Sequence, residues 1–230
     1  MDTYYTFILR LNPKFKGVMN KFLFTCLLGT LTFLPAVSQQ TKHLTSNQYG
    51  VKYGTIHYKS SSVMNFPGQP PLTTHVTGKV CFDEYGNKRS NLYTETQDVA
   101  DFKVSRNLQT LYLDNYKYSI DLDAKKGTEE VINDRIDKIT NYDNPDDSDK
   151  SLYSFTLTGA GTFLDKPCRL FTVTEKQGAG SVSKVTVWNN VVLKRVTTSS
   201  VLNYTFEVTK IDESQPDSTL LSIPDEIIIE

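Results

Sequence analysis

Apolar and polar residues alternate with a period of two through most of this chain. In YGTIHYKS (53–60), Ile56 and Tyr58 oppose Thr55, His57 and Lys59. In HVTGKVCF (75–82), Val76, Val80 and Phe82 oppose Thr77, Lys79 and Cys81. YKYSIDLD (116–123) sets Tyr116, Tyr118, Ile120 and Leu122 against Lys117, Ser119, Asp121 and Asp123. LNYTFEVTK (202–210) sets Leu202, Tyr204, Phe206 and Val208 against Asn203, Thr205, Glu207 and Thr209. Successive side chains of a strand point to opposite faces, so this period predicts half-buried antiparallel strands. Gly86-Asn87, Asp114-Asn115 and Asn189-Asn190 sit between such runs, and these residue types tolerate the positive φ of tight hairpins. The pattern predicts roughly nine to eleven strands, and a sheet of that size must curl, close or split.

One stretch follows the helical period instead. GTEEVINDRIDKIT (127–140) spaces Ile132, Ile136 and Ile139 at i, i+4 and i+7. Thr128 is a candidate cap, Glu129 and Glu130 suit the positive end of the helix dipole, and Lys138 suits the other end. An amphipathic helix is expected here, laid across the concave side of the curled sheet as a lid. NYDNPDDSDK (141–150) reads as an exposed acidic loop, and DVADFKV (98–104) carries a weaker signal for a helical turn.

Residues 19–40, MNKFLFTCLLGTLTFLPAVSQQ, change the picture of where the chain works. Lys21 supplies a positive start, Phe22 to Leu34 an apolar run, and Ala36-Val37-Ser38 a small-residue cleavage site. The run is shorter than the ~20 residues of a spanning helix. Residues 1–38 are therefore read as a signal peptide starting at Met19, and 39–230 as a single β-rich domain with no membrane span. Thr25 before Cys26 is a poor lipobox, so a soluble exported product is expected. Cleavage removes four of the 25 basic and one of the 26 acidic residues, leaving a net charge of −4. No basic stripe invites nucleic acid. Two cysteines remain, Cys81 and Cys168, and an exported location permits a disulfide between them.

Candidate chemistry is sparse. Asp83 and Glu84 in KVCFDEYGNKR (79–89) are adjacent, so a strand would aim them at opposite faces, and the spacing fails a Ca loop at positions three (Tyr85) and twelve (Thr94). The stretch reads as a polar hairpin tip, with Lys88 and Arg89 keeping an edge soluble. Asp143, Asp146, Asp147 and Asp149 fail the same test. His43, His57 and His75 match no metal spacing, and no metal or cofactor is expected. No GxSxG surrounds a serine. GAGTF (159) and GAGSV (178) lack a dinucleotide fingerprint and read as flexible turns. Cys168 follows Pro167 with nothing nearby to activate it. Asn203-Tyr204-Thr205 matches a glycosylation sequon in mid-strand. What remains is an aromatic interior including Tyr58, Phe82, Tyr118, Phe171, Tyr204 and Phe206, either a packed core or a cavity for an apolar guest.

Four patterns, VCFDEYGNKR (80–89), GTFLDKPCRLFTVTE (161–175), VTVWNNVVLKRVTTS (185–199) and SQPDSTLLSIPDEI (214–227), occur in an order that resembles the lipoprotein-carrier (LolA/LolB-like) superfamily of secreted envelope proteins. The chain departs from that pattern at Asn189-Asn190, where a glycine is usual, and at Leu221, where a phenylalanine is. Arg135 lies on the expected helix, but no local motif aligns it with the lid arginine of the carriers. The resemblance implies a mainly β (α+β) fold, an unclosed, strongly curved antiparallel β-barrel with one or more helices as a lid. It implies a non-enzymatic envelope protein, in the periplasm or at the outer-membrane periphery of a Gram-negative bacterium, holding a lipid, acyl chain or lipidated protein. Ile56, Tyr58, Val80, Phe82, Tyr118, Ile120, Phe171, Val187, Tyr204 and Phe206 would line the cavity, and Ile132, Ile136 and Ile139 would close it. An adaptor that docks on an outer-membrane-associated protein through a sheet edge is the alternative.

Overall fold

The computed structural model describes residues 48–99, 102–132, 140–177 and 180–230. The chain divides into units Met1–Thr41 and Lys42–Glu230, and every described residue belongs to the second. The expected signal peptide lies outside the described residues.

Twelve strands form one sheet: β1 (Gly54–Met64), β2 (Leu72–Asp83), β3 (Lys88–Val99), β4 (Phe102–Leu113), β5 (Tyr116–Asp121), β6 (Lys126–Val131), β7 (Tyr153–Phe163), β8 (Lys166–Glu175), β9 (Val182–Trp188), β10 (Val191–Thr198), β11 (Leu202–Asp212) and β12 (Ile228–Ile229). Their spatial order is β12-β6-β5-β4-β3-β2-β1-β11-β10-β9-β8-β7, so the sheet is unclosed. β1 to β6 meander outward in one direction. β11 returns to the free side of β1, and β10 to β7 follow it. Among the described residues only β12 pairs in parallel, beside β6. This two-residue strand takes the count past the nine to eleven expected. The hairpin turns fall where the sequence put them: Asp114, Asn189 and Asn190 have φ of 54°, 47° and 62°. At the β2–β3 tip a 3-10 turn, Glu84–Gly86, replaces a two-residue turn.

Several expectations are corrected. Gly127 to Val131 do not open a helix; they are strand β6, paired with β5 from Tyr116↔Val131 to Asp121↔Lys126. Lys117 forms an ion pair with Glu130, and Gly127 lies where a Cβ would stand 3.0 Å from Ile120 and Ile229. Pairing on both sides overrides the weak helical preference of this stretch. Ile132 follows the strand, its N–H donating to the Asn115 carbonyl at 2.8 Å; Ile136, Ile139 and the rest of that expected helix lie outside the described residues. The acidic loop instead contains the one α-helix among the described residues, α1 (Asp147–Leu152), capped by the Asp146 carboxylate. Gly159 to Phe163 are not a turn but the end of β7, and 98, 99 and 102–104 belong to strands. Arg89 does not solubilise an edge. The β2–β3 hairpin is central, and Arg89 is buried over the Tyr112 ring at 3.6 Å, donating to the carbonyl of Gly86 and to Gln48 Oε1.

The sheet curls. Tyr49 N–H bonds the Tyr85 carbonyl at 2.8 Å, and Gly50 N–H bonds the Asn189 carbonyl at 2.7 Å. Adjacent residues thus hold the β2–β3 and β9–β10 tips within roughly 10 Å of each other, given ~3.8 Å between successive Cα atoms. Four strand spacings on a flat sheet would separate those tips by about 19 Å. The face toward which the sheet bends, here called inner, is the one on which Tyr49 packs edge-on against Phe82 at 4.7 Å. There the strand ends are closed by a buried cluster of Ile56, Phe82, Cys168, Trp188, Val191, Leu193 and Val208, with Tyr49 and Val51 against it. A second cluster joins Phe171, Val185 and Val187 to Tyr142, which sits on β8 and β9 with Phe155 and Val173. The outer face of β3 to β6 packs Ser90, Leu111, Gln109 and Ile120; the C-terminal segment reaches it at Ser222 and Ile229.

Candidate ligand-binding face

Directly opposed residues of paired strands share a face. The register therefore places Ile56, Tyr58, Val80, Phe82, Tyr204 and Phe206 on the inner face, through Ile56↔Val80, Gly54↔Phe82, Ser60↔Phe206 and Ser62↔Tyr204. Phe171 and Val187 join them through the β8–β9–β10 pairings and their shared cluster with Tyr142. Tyr118 and Ile120 are on the outer face: Ser119, not they, aligns with Thr110, Asn91, Val80 and Ile56. A strand shows only its own alternation; the relation between strands comes from register, which the sequence does not display.

The inner face is layered. Phe82 and Ile56 lie in the closed end. Tyr58 comes next, its ring 5.1 Å from Phe206 and its hydroxyl donating to Asn91 at 2.8 Å. Farther along, the lining turns polar. Ser62 and Thr74 face each other and are both buried; Tyr204 and Thr197 continue that row on β11 and β10. Arg195 stands beside Phe206 on the inner face of β10 and donates to the Tyr142 hydroxyl. Burial pushes the Tyr204 phenol up, against the charge of Arg195 and a hydrogen bond with Ser60. On β3, Glu95 faces Val76 and Arg106. Burial raises its carboxyl above the usual range, opposed by a hydrogen bond from Gln97 and by the Arg106 charge. Sequence reading missed this belt because Ser, Thr and Arg within a strand look like solvent-facing residues. The only available signal was that Ser60, Ser62 and Thr74 fall in phase with Tyr58 and Val76.

A hollow of about 540 Å³ lies over the same strands, bordered mainly by outer-face groups: Lys59, Ser61, His75, Thr77, Lys194, Thr205 and Glu207. Lys59 and Lys194 both pair with Glu207 there, holding its carboxyl below the usual range. His57 and His75 occupy that outer face as expected from their alternation, opposite Lys79 and Ser61. Among the described residues no group of three His, Cys, Asp or Glu side chains is placed to hold a metal.

Cys81 and Cys168 are free, buried thiols. Cys168 packs in the cluster with Phe82, whereas Cys81, next to Phe82 in the strand, points to the other face and accepts from Thr55 Oγ1 at 3.7 Å. Burial pushes the Cys168 thiol up, the opposite of activation. The 79–89 tip is structural: the Asp83 carboxylate accepts from the Glu84 N–H, and Glu84 pairs with Lys88.

No family model and no curated protein matches the chain. Among solved structures, an uncharacterized conserved protein from Thermus thermophilus is 6% identical, with a TM-score of 0.44 over 76% of this chain and 89% of that one. A LolA superfamily protein from Nitrosomonas europaea is 7% identical, with a TM-score of 0.29 over 74% and 90%. The MucA/MucB complex of Pseudomonas aeruginosa contributes a chain 14% identical, with a TM-score of 0.37; the match covers 74% of this chain and 56% of that one. The family that the sequence motifs resemble is thus represented among the similar structures. All three TM-scores fall below 0.5, too low for fold or function to follow from the likeness.

Proposed function

We propose that this chain is a non-enzymatic, exported envelope protein that holds a lipid, an acyl chain or a lipid-modified protein on the inner face of its sheet. The observation that carries the reading is the register itself: Tyr58, Tyr204, Phe206 and Phe171 share one face of a sheet that curls toward them and does not close. Each buried CH₂ of a guest is worth about 0.8 kcal/mol, so an apolar trough carries an acyl chain through water without covalent chemistry. Protein purified from its native envelope should release lipid into organic solvent, identified by mass spectrometry. Phe206→Asp should abolish that lipid while far-UV circular dichroism stays that of a β protein. Lipid-free wild-type protein that also fails to take up added amphiphiles would end this reading.

A second reading rests on β7. This edge strand, YSFTLTGAGTF, has no proline and no charged residue, and Tyr153 and Leu157 are exposed. Edge strands are usually blunted by such residues. A bare edge suits an adaptor that adds a strand from an envelope protein partner. Leu157→Lys should then remove a partner from a pull-down without changing lipid content. An unchanged pull-down would leave β7 without that role.

A further inference from the structure

Three buried side-chain polar atoms among the described residues have no hydrogen-bond partner: Thr74 Oγ1, Gln109 Oε1 and Arg195 Nε. Folded proteins satisfy the great majority of such atoms, so each one needs a physical account. Gln109 sits on the outer face, beneath the C-terminal segment, with its Nε2 bonded to Ser90 Oγ at 2.9 Å. The other two belong to the inner face, at the polar belt that interrupts the apolar lining.

The belt runs across neighbouring strands at one height. Thr74 faces Ser62, Ser62 faces Tyr204, and Tyr204 faces Thr197. Thr197 is already satisfied, its hydroxyl 2.8 Å from that of Ser183. Arg195 lies one inner-face position from Thr197 along β10. Its guanidinium makes no ion pair among the described residues, donates to Tyr142, and keeps Nε unused. Two other inner-face arginines differ: Arg169 pairs with Asp143, and Arg106 is opposed to Glu95. A half-buried guanidinium with a spare donor, beside the Tyr204 phenol, is arranged to receive oxygen acceptors carrying negative charge. Phe206 and Val76 stand level with Arg195 on the same face and Tyr58 lies one position below, where an alkyl chain attached to that acceptor would run.

We propose that Arg195, next to Tyr204 at the β10 end of the polar belt, is the seat for the anionic oxygen head of the acyl ligand, so that the protein selects charged amphiphiles over neutral ones of the same chain length. This rests on the reading of the inner face as a lipid site and specifies which lipids it takes. A carboxylate and a phosphate monoester both present the required oxygens.

The test uses the full exported protein and three sixteen-carbon ligands: hexadecanoate, hexadecyl phosphate and hexadecanol, titrated by displacement of a fluorescent fatty-chain dye. Wild type should bind at least one anionic ligand about tenfold or more tighter than hexadecanol, the scale of one charge-assisted hydrogen bond. The preferred anion identifies the head group as carboxylate or phosphate. Arg195→Gln should bring that ratio to within about twofold. Far-UV circular dichroism matching wild type shows that the variant is folded. Equal affinity for all three ligands in wild type, or a preference that survives Arg195→Gln, overturns this inference and leaves the carrier reading standing. Binding of none of the three overturns both.

Discussion

Glu95 shows how a single side chain records its surroundings. On a bare alternation it is a polar residue of a half-buried strand; in the sheet it faces Val76, and burial lifts its carboxyl above the usual carboxylate range. An acid whose folded pKa is raised holds more protons in the folded state than in the unfolded one, so its contribution to stability falls as pH climbs from the unfolded value through the folded one. Glu95→Gln, which keeps the shape and the bond to Gln97, should therefore gain stability relative to wild type as pH rises from about 4 to 7. Urea unfolding at several pH values reads this directly, and a pH-independent difference would show the carboxyl to be solvated. Phe82 gives the apolar counterpart. It is 2% exposed and packs on Tyr49 in the closed end, so Phe82→Ala should cost about 3–5 kcal/mol in the same assay.

At the level of elements, the Asn189-Asn190 turn does more than join two strands. Both residues have positive φ, which glycine adopts without strain. Yet the Asn190 side chain donates to the Gln48 carbonyl at 2.6 Å and accepts from the Tyr142 N–H at 3.3 Å. It ties down the two segments that cover the inner face, one from each side of the sheet sequence. Asn190→Gly relaxes the backbone but releases both covers. It should destabilise by about 1–2 kcal/mol and alter the fluorescence of Trp188, two residues away. A stabilised variant would mean the side-chain bonds are dispensable. The usual glycine at this hairpin in the resembled family is thus replaced by a residue with a second task. Strand β6 carries the reverse lesson. Glu129 and Glu130 looked like the acidic first turn of a helix, and Thr128 like its cap. The deciding partners, β5 and Ile228–Ile229, lie outside the window in which periodicity is read.

Among the described residues, the unclosed sheet ends on a long edge at β7 and a short one at β12. The inner face is apolar and closed at the end held by Tyr49, and polar at the belt of Thr74, Ser62 and Tyr204. Under the proposed function, that polarity along the strands orients an amphiphile, its chain toward the apolar end and its head toward the belt.

The sequence by itself determined that the chain is a β-meander, where its central hairpins turn, and which residues of each strand stand together. Those features are local: side-chain alternation, turn φ and residue type act over a few positions. Only the tertiary structure decided that Tyr118 and Ile120 face away from Tyr58, that 127–131 is a strand, that Arg89 is buried and that Arg195 keeps a spare donor inside. Each of these depends on which strands pair and in what register, and pairing between β1 and β11 joins residues about 150 positions apart, a relation that no local pattern carries.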